Sequence, residues 1–530
     1  MEKKTKSWSG GVERGGGQVE IVRNVRRGMI SLLAGAWDAS CSAALMAEPS
    51  LKHPPGLKTL FFTEMWERWS FYGMRALLVG FMSAAAGLGM TAKDAAAVYG
   101  LYLAVVYCSA LPGGWIGDRL LGPKRAVWWG GVIISIGHLM LALDGRMSFL
   151  LGLLVIAIGS GLLKSNMSAL VGLLYPEGGQ RRDAGFTIFY FGINVGAFFA
   201  PLVSGWLRDS ASWGWKWAFA SATAGMFIGL LQFQLSRRLL DGVGDHPQHP
   251  GQNVKREWQV FWAGLASLVV LTALCATGVI VVDAVWLAKA ISVAILAAAG
   301  SYYVWLLFFA GLLADEKARI VLSLIFFFTS ALFFAGFEQS GSSFNIFADK
   351  NTDRVMFGYT VPAEWFQAVN PLFVIALAPV MAWMWQWLDR RGLGFSLTAK
   401  MGWAMLLLGG GFMLAVLMAR HSLSVGQVSP LWLLGVYFVL TVGELCLSPV
   451  GLSAFTKLSP ARYTAQMMGI WFLGTSLGDV ISGLIAGHVS GDAMAEMPAI
   501  FMKVVWISLA TGGVLLLFAK PIQKLARGVS

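Results

Sequence analysis

Glu64-Met65-Trp66-Glu67-Arg68-Trp69-Ser70-Phe71-Tyr72-Gly73-Met74-Arg75 is the stretch whose charges decide how this chain must fold. It lies inside an apolar run from Leu57 to Ala86, long enough to cross a bilayer at about 1.5 Å per residue. Yet it carries two carboxylates and two guanidinium groups. Wound as a helix, Glu64, Glu67, Arg68, Phe71, Tyr72 and Arg75 fall on one face. A charge at mid-bilayer costs roughly 2.5–3.5 kcal/mol on insertion scales, so this face must turn toward protein or water. A salt-bridge cluster at the membrane edge would sit at a helix end, whereas this stripe runs through the helix. It reads as a site that handles protons and charged solute.

The rest of the composition agrees with a bilayer. Of 530 residues, 57% are hydrophobic and 13% charged, with a mean hydropathy of +0.66. A soluble protein of this size cannot bury that much apolar surface, so the fold class is all-α, polytopic and membrane-embedded. The 23 tryptophans suit the two membrane interfaces. Cys41, Cys108, Cys275 and Cys446 are too scattered for a disulfide framework or a metal site. The histidines form no HExxH, and His138 and His488 in apolar segments read as structural. No cofactor is expected.

Residues 1–50 differ from the remainder of the chain, with Lys3, Lys4, Lys6, Arg23, Arg26 and Arg27 among glycines. They are expected to be a disordered or weakly amphipathic cytoplasmic tail, or an extension ahead of a start at Met46. From Leu57 to residue 519 fourteen apolar segments recur. If the N-terminus is cytoplasmic, inside loops hold about twice as many basic residues as outside loops, Arg119, Lys124, Arg125, Arg237, Arg238, Arg390 and Arg391 among them. This bias places both termini in the cytoplasm. It also accounts for the net charge of +12 without a nucleic-acid partner.

The loop Gly114-Trp-Ile-Gly-Asp118-Arg119-Leu-Leu-Gly122-Pro-Lys124-Arg125 resembles one of the major facilitator superfamily, in which the Asp caps helix ends and the basic residues pin a gate. That resemblance implies two six-helix bundles with a site between them at mid-membrane. The expected division is an N-terminal bundle at 57–236, an inserted and peripheral helix pair at 257–313, and a C-terminal bundle at 319–520.

Within the superfamily, Glu64–Arg75 resembles the E-x-x-E-R-F-x-Y-Y-G motif of the proton-dependent oligopeptide transporters. The segment Phe186–Phe198 is similar to that family's signature. Gly161-Leu-Leu-Lys164-Ser-Asn166, Phe337-Glu338-Gln339, Asn370-Pro371-Leu372-Phe373, Gly443-Glu444 and Trp471-Phe472 resemble its other blocks, in order along residues 57–520. Membrane depth gives the same pairing by a separate route. Arg75 and Glu338 each lie about 18 residues from the inner edge, one per half, while Lys164 and Glu444 each lie about 11 residues from it.

The resemblance implies a proton-coupled symporter importing di- and tripeptides. Arg75–Glu338 would gate the outside and Lys164–Glu444 the inside, with Glu64, Glu67, Arg68 and Glu338 in proton coupling. Arg68 and Lys164 would take the peptide carboxylate and Glu444 with Asn370 its amine, while Tyr72, Tyr107, Asn194, Trp471 and Phe472 line the cavity. A proton gradient drives such a carrier. It is expected to be a monomer in the inner membrane of a bacterium, with small peptides, protons and lipid as its partners. Phe71 stands where the family motif has its first Tyr, and Trp69 where it has Phe. That departure keeps open an alternative, a symporter of a non-peptide solute such as nitrate or a modified amino acid. A membrane-embedded enzyme lacks a nucleophile–base group at one depth.

Overall fold

The computed structural model describes residues 52–527 apart from 178, 211, 248–252, 282, 357 and 489–494; the tail expected at residues 1–50 lies outside the described residues. Fourteen long helices succeed one another among the described residues. They are α1 (Gly56–Ser83), α2 (Ala92–Leu121), α3 (Pro123–Ala142), α4 (Arg146–Leu173), α5 (Gly179–Asp209), α6 (Gly214–Ser236), α7 (Val254–Ala276), α8 (Ala284–Phe308), α9 (Ala314–Phe337), α10 (Val369–Arg390), α11 (Leu397–Val425), α12 (Leu431–Leu458), α13 (Thr464–Ala486) and α14 (Met497–Leu517). Thirteen are apolar enough to cross a membrane by composition; α1 has the length, 28 residues, but carries the charged stripe. In the orientation expected from the charge bias of the loops, the end at which α1 finishes is the outer end.

Small residues let these helices approach closely, as helix association in lipid requires. Gly130 and Gly137 of α3 meet Gly159 and Gly152 of α4, and Gly402 of α11 meets Gly512 of α14. The C-terminal helices α9–α14 enclose an aromatic core of Phe326, Phe327, Phe333, Phe344, Phe412, Phe455 and Phe501. The N-terminal helices hold two smaller cores, one at the outer end around Met74, Phe149 and Phe219 and one at the inner end around Leu60, Met167 and Phe233.

The inserted pair is not uniformly peripheral. None of the apolar window of α7 is buried, so its side chains are left to lipid. Helix α8 instead packs inward across the seam between the halves. Its Ala288 is buried with Leu101 and Ala104 of α2 and Val480 of α13, and its Tyr303 contacts Phe327 of α9.

Two irregularities position functional side chains. Helix α9 stops at Phe337, and a 3-10 turn, Glu338–Gly341, leads into a short helix, Ser343–Asn351. The inner end of α2 widens into a π turn at Gly117–Leu121 and closes at Gly122, whose φ of 81° favours glycine.

Candidate functional site

The stripe on α1 faces protein, as the cost of a charge in lipid demands. Glu64, Glu67 and Arg68 are all buried. Arg68 Nε lies 3.1 Å from Glu64 Oε1 and pairs also with Glu67 Oε2, so one guanidinium serves two carboxylates. Phe71 covers it, with its ring centroid 5.2 Å from the guanidinium carbon. Close approach of α5 seals this face. A Cβ on Gly196 would lie 2.2 Å from the Met65 carbonyl and 3.1 Å from Arg68 Cβ, so only glycine fits.

Two turns toward the outer end, Arg75 crosses to the other half. Its Nη2 donates to Glu338 Oε2 and its Nε donates to Tyr99 Oη at 2.8 Å. All three groups are buried. The helix break at Glu338 brings Gly341 against the same cluster, where a Cβ would sit 1.8 Å from Tyr99 Oη. Further bonds clasp the two halves at this end. Arg208 of α5 donates to Glu364 at 2.9 Å, Trp365 Nε1 donates to the Leu202 carbonyl at 2.9 Å, and Gln367 donates to the Ala76 carbonyl at 3.3 Å.

Deeper in, between the halves, most of the remaining residues keep partial exposure. Lys164 Nζ lies 3.9 Å from the centroid of the Tyr107 ring, and that ring stacks on Phe472 at 6.3 Å and 20°. Cation, Tyr and Phe thus form a column from α4 through α2 to α13. On the opposite wall Asn370 donates to Glu444 Oε2 and to Thr441 Oγ1, both at 3.0 Å. Asn194 donates to the Tyr190 carbonyl of its own helix at 3.0 Å. Trp471 packs against Phe455 at 5.3 Å and over Gly451, and only 4% of it is exposed. Tyr72 stands between the two basic groups, 5.6 Å from the Arg75 guanidinium carbon.

The structure does not bring Lys164 and Glu444 together. Among the described residues neither makes an ion pair, so the inner gate expected from the sequence is not formed in this arrangement. Each group is engaged elsewhere, Lys164 over the Tyr107 ring and Glu444 with Asn370, while Arg75–Glu338 and Arg208–Glu364 hold the halves at the other end. Among the described residues, ion pairs join the halves at the Arg75 end, and neither Lys164 nor Glu444 makes one.

The basic loop after α2 is anchored. Lys124 is buried, donates to the Leu240 carbonyl at 3.0 Å and lies 3.0 Å from Asp245 and 3.7 Å from Asp241. The hydrogen bond from Lys124 holds the Asp245 carboxyl below its usual range. Arg119 pairs with Glu257 at 2.7 Å, tying α2 to the inserted helix α7. On the same side His53 bonds Tyr175 Oη at 2.8 Å, and burial with the nearby Arg181 charge pushes its imidazole below the ordinary value.

Three features of the site are not found by reading the sequence alone. Tyr99 reads there as one more aromatic in an apolar run. Arg208–Glu364 joins residues at helix ends, where charges are ordinary. Asp479 on α13 is fully buried, and among the described residues neither of its carboxyl oxygens has a hydrogen-bond partner. A lone acid in the apolar run Trp471–Ala486 is the signal that could have found it.

This geometry has counterparts among known proteins. Residues 124–507 match the model of the POT family. The chain is 40% identical to the peptide transporter YePEPT of Yersinia enterocolitica subsp. palearctica, over 89% of this chain and 95% of that protein. It is 34% identical to a di-/tripeptide transporter of Lactococcus lactis subsp. cremoris, over 89% of this chain and 96% of the relative. Among solved structures, the peptide transporter POT in complex with sulfate superposes with a TM-score of 0.83 at 37% identity, covering 91% of this chain and 97% of that one.

Proposed function

The chain belongs to the POT family, and from that premise we propose that it imports di- and tripeptides by proton-coupled symport, through alternating access gated by ion pairs between its halves. The observation that carries this reading is the contrast between the two ends. Arg75–Glu338 joins the halves outside, while among the described residues Lys164 and Glu444 face the space between the halves without an ionic partner. A carrier must never open to both sides, and an arrangement latched at one end only meets that requirement.

The ligand chemistry supports peptide. A zwitterionic peptide needs a cation for its carboxylate and an anion for its amine. Arg68 and Lys164 supply the first, and Glu444, oriented by Asn370, supplies the second. Tyr72, Tyr107, Asn194, Trp471 and Phe472 bound the intervening space with few side-chain-specific bonds, which suits a carrier of many sequences. The named activities of the Yersinia and Lactococcus relatives point the same way.

Coupling is a consequence of charge. Protonating Glu338 removes the anion that holds Arg75, so the outer latch loosens as a proton and a peptide enter. Glu64 and Glu67, sharing the one guanidinium of Arg68, are the further proton-binding groups. Each proton moving inward down the membrane potential supplies about 2.3 kcal/mol per 100 mV. The charge bias of the loops supports cytoplasmic termini, and the bacterial relatives support an inner-membrane location; a single chain contains both halves of the site, in keeping with a monomer.

Uptake of labelled dialanine into proteoliposomes, with and without an inward proton gradient, tests the reading. Gradient-driven accumulation that Glu67→Gln reduces to exchange alone is the expected result. Uptake indifferent to the gradient would overturn it.

A further inference from the structure

Among the described residues Asp479 is the one buried aspartate, and packing alone explains little of its surroundings. Its backbone is clamped at the seam between the halves: a Cβ on Gly100 of α2 would lie 2.7 Å from the Asp479 carbonyl and 2.9 Å from Gly483 Cα. The turns on either side are hydrogen-bonded across helices, Gln339 donating to Ser482 Oγ at 3.1 Å and Ser476 to the Ala104 carbonyl at 3.3 Å. Between them, neither oxygen of the carboxyl has a partner among the described residues. The clamped turns join this segment to the outer latch, because Gly100 follows Tyr99, which holds Arg75, and Gln339 follows Glu338. The charged and titratable groups whose fields act on the carboxyl are Arg75 of α1, Tyr99, Tyr107 and Cys108 of α2, Lys164 of α4, and Glu338 beyond α9. Helix α8 presents Ala288 at this level. Both nearby cations are engaged elsewhere, Arg75 with Glu338 and Tyr99, Lys164 over Tyr107.

We propose that Asp479 is the proton acceptor paired with Glu338: the proton that leaves Glu338 as Arg75 binds it is held on Asp479 before release toward the inner cavity. Two carboxyls, Glu338 and Asp479, share this seam with the one guanidinium of Arg75, and the proton leaves Glu338 for Asp479 when Arg75 pairs with Glu338. In the exchange, an O–H bond breaks on Glu338 and one forms on Asp479, and Arg75 pairs with the Glu338 carboxylate so formed, so the charge of the cluster is unchanged. The structure holds the product side, with Arg75 on Glu338 and Asp479 alone. An unpartnered carboxylate sealed from water is a costly species, and the neutral acid is far less so. The Tyr107–Lys164 side then offers the way out, because Tyr107 and Lys164 retain contact with solvent.

The inference rests on the symport reading, and its test separates the two. Asp479→Asn is close to isosteric and carries no exchangeable acid. In proteoliposomes it is expected to lose at least tenfold of gradient-driven dialanine uptake while keeping peptide counterflow, with Asp479→Glu restoring the driven uptake. A merely structural role would depress counterflow as well. Full gradient-driven uptake by the Asn variant overturns the proposal, and a wild type without gradient-driven uptake overturns the symport reading instead. Should the Asn variant fail to fold, infrared spectra of wild-type protein labelled with side-chain 13C-aspartate decide. A protonated aspartic C=O band at neutral pH, shifted by the label, is expected; its absence overturns the assignment.

Discussion

Arg75 on α1 and Glu338, the first residue past the end of α9, form an ion pair that fastens the N-terminal half of the protein to the C-terminal half. Both groups are buried, so each depends on the other for its charge to be tolerated. Breaking such a pair from one side typically costs about 3–5 kcal/mol, because it strands the remaining charge. Glu338→Gln and Arg75→Gln are each expected to lower thermal stability in detergent by amounts of that order. The double variant is expected to lose less than the sum, by at least about 1 kcal/mol. Strictly additive losses would mean that the two side chains do not act as a pair in solution.

Gly341 is the point at which this latch can be forced. A methyl group there would collide with Tyr99 Oη, the hydroxyl that also holds Arg75. Gly341→Ala is therefore expected to favour the form open outside. A single cysteine introduced at Tyr72 in an otherwise cysteine-free protein is expected to react with an impermeant thiol reagent, added from outside, several-fold faster in the Gly341→Ala background. Adding Tyr99→Leu, which removes both the hydroxyl and the ring carbon that would lie 2.7 Å from the new methyl group, is expected to reverse most of the effect. Equal labelling in all backgrounds would sink this account of the glycine.

What can be read from the sequence is set by membrane physics. Glu64, Glu67, Arg68 and Arg75 announce themselves because charge in an apolar helix is expensive, and counting depth along straight helices is enough to place Arg75 level with Glu338. The same counting places Lys164 level with Glu444, yet the structure leaves them apart, because depth says nothing about which end of a rocking pair of bundles is closed. Phe71 illustrates a second limit. Its missing hydroxyl reads as a change to the ligand site, whereas the ring is buried against Tyr102 in the outer core of the N-terminal half, 6.3 Å centroid to centroid. Tyr99 and the inward packing of α8 are illegible because they depend on how helices distant in sequence cross. No local pattern records a crossing.

The division of labour between Lys164 and the Asn370–Glu444 pair can be tested with blocked peptides. A charge-assisted contact contributes about 1.5–3 kcal/mol, or roughly a tenfold to hundredfold change in affinity. Lys164→Gln is expected to weaken competition by dialanine in that range while hardly changing the already weak binding of dialanine amide. Asn370→Ala, which frees Glu444 from its orienting bond, is expected to weaken dialanine but not N-acetyl-dialanine. If either variant weakened the free and the blocked peptide alike, the terminus assigned to that residue would be wrong.

The inner loop provides a pH signature that is separate from transport. Asp245 is drawn below the ordinary aspartate range chiefly by its hydrogen bond from Lys124, which also holds the Leu240 carbonyl. A carboxyl whose folded value is depressed stabilises the fold above its unfolded value of about 3.9, and that contribution fades as pH falls through the lower, folded value. The Asp245 side chain is 40% exposed, so solvent screening limits the gain to about 1 kcal/mol or less. Asp245→Asn is thus expected to melt slightly below wild type in detergent at pH 7, and the difference is expected to shrink steadily below about pH 4 as wild-type Asp245 takes up its proton. High salt is expected to narrow the pH 7 difference as well, since the pair lies within reach of solvent ions. A gap between the two proteins that stays constant from pH 7 to pH 3, or widens on acidification, would mean that Asp245 acts through packing and not through its charge on Lys124.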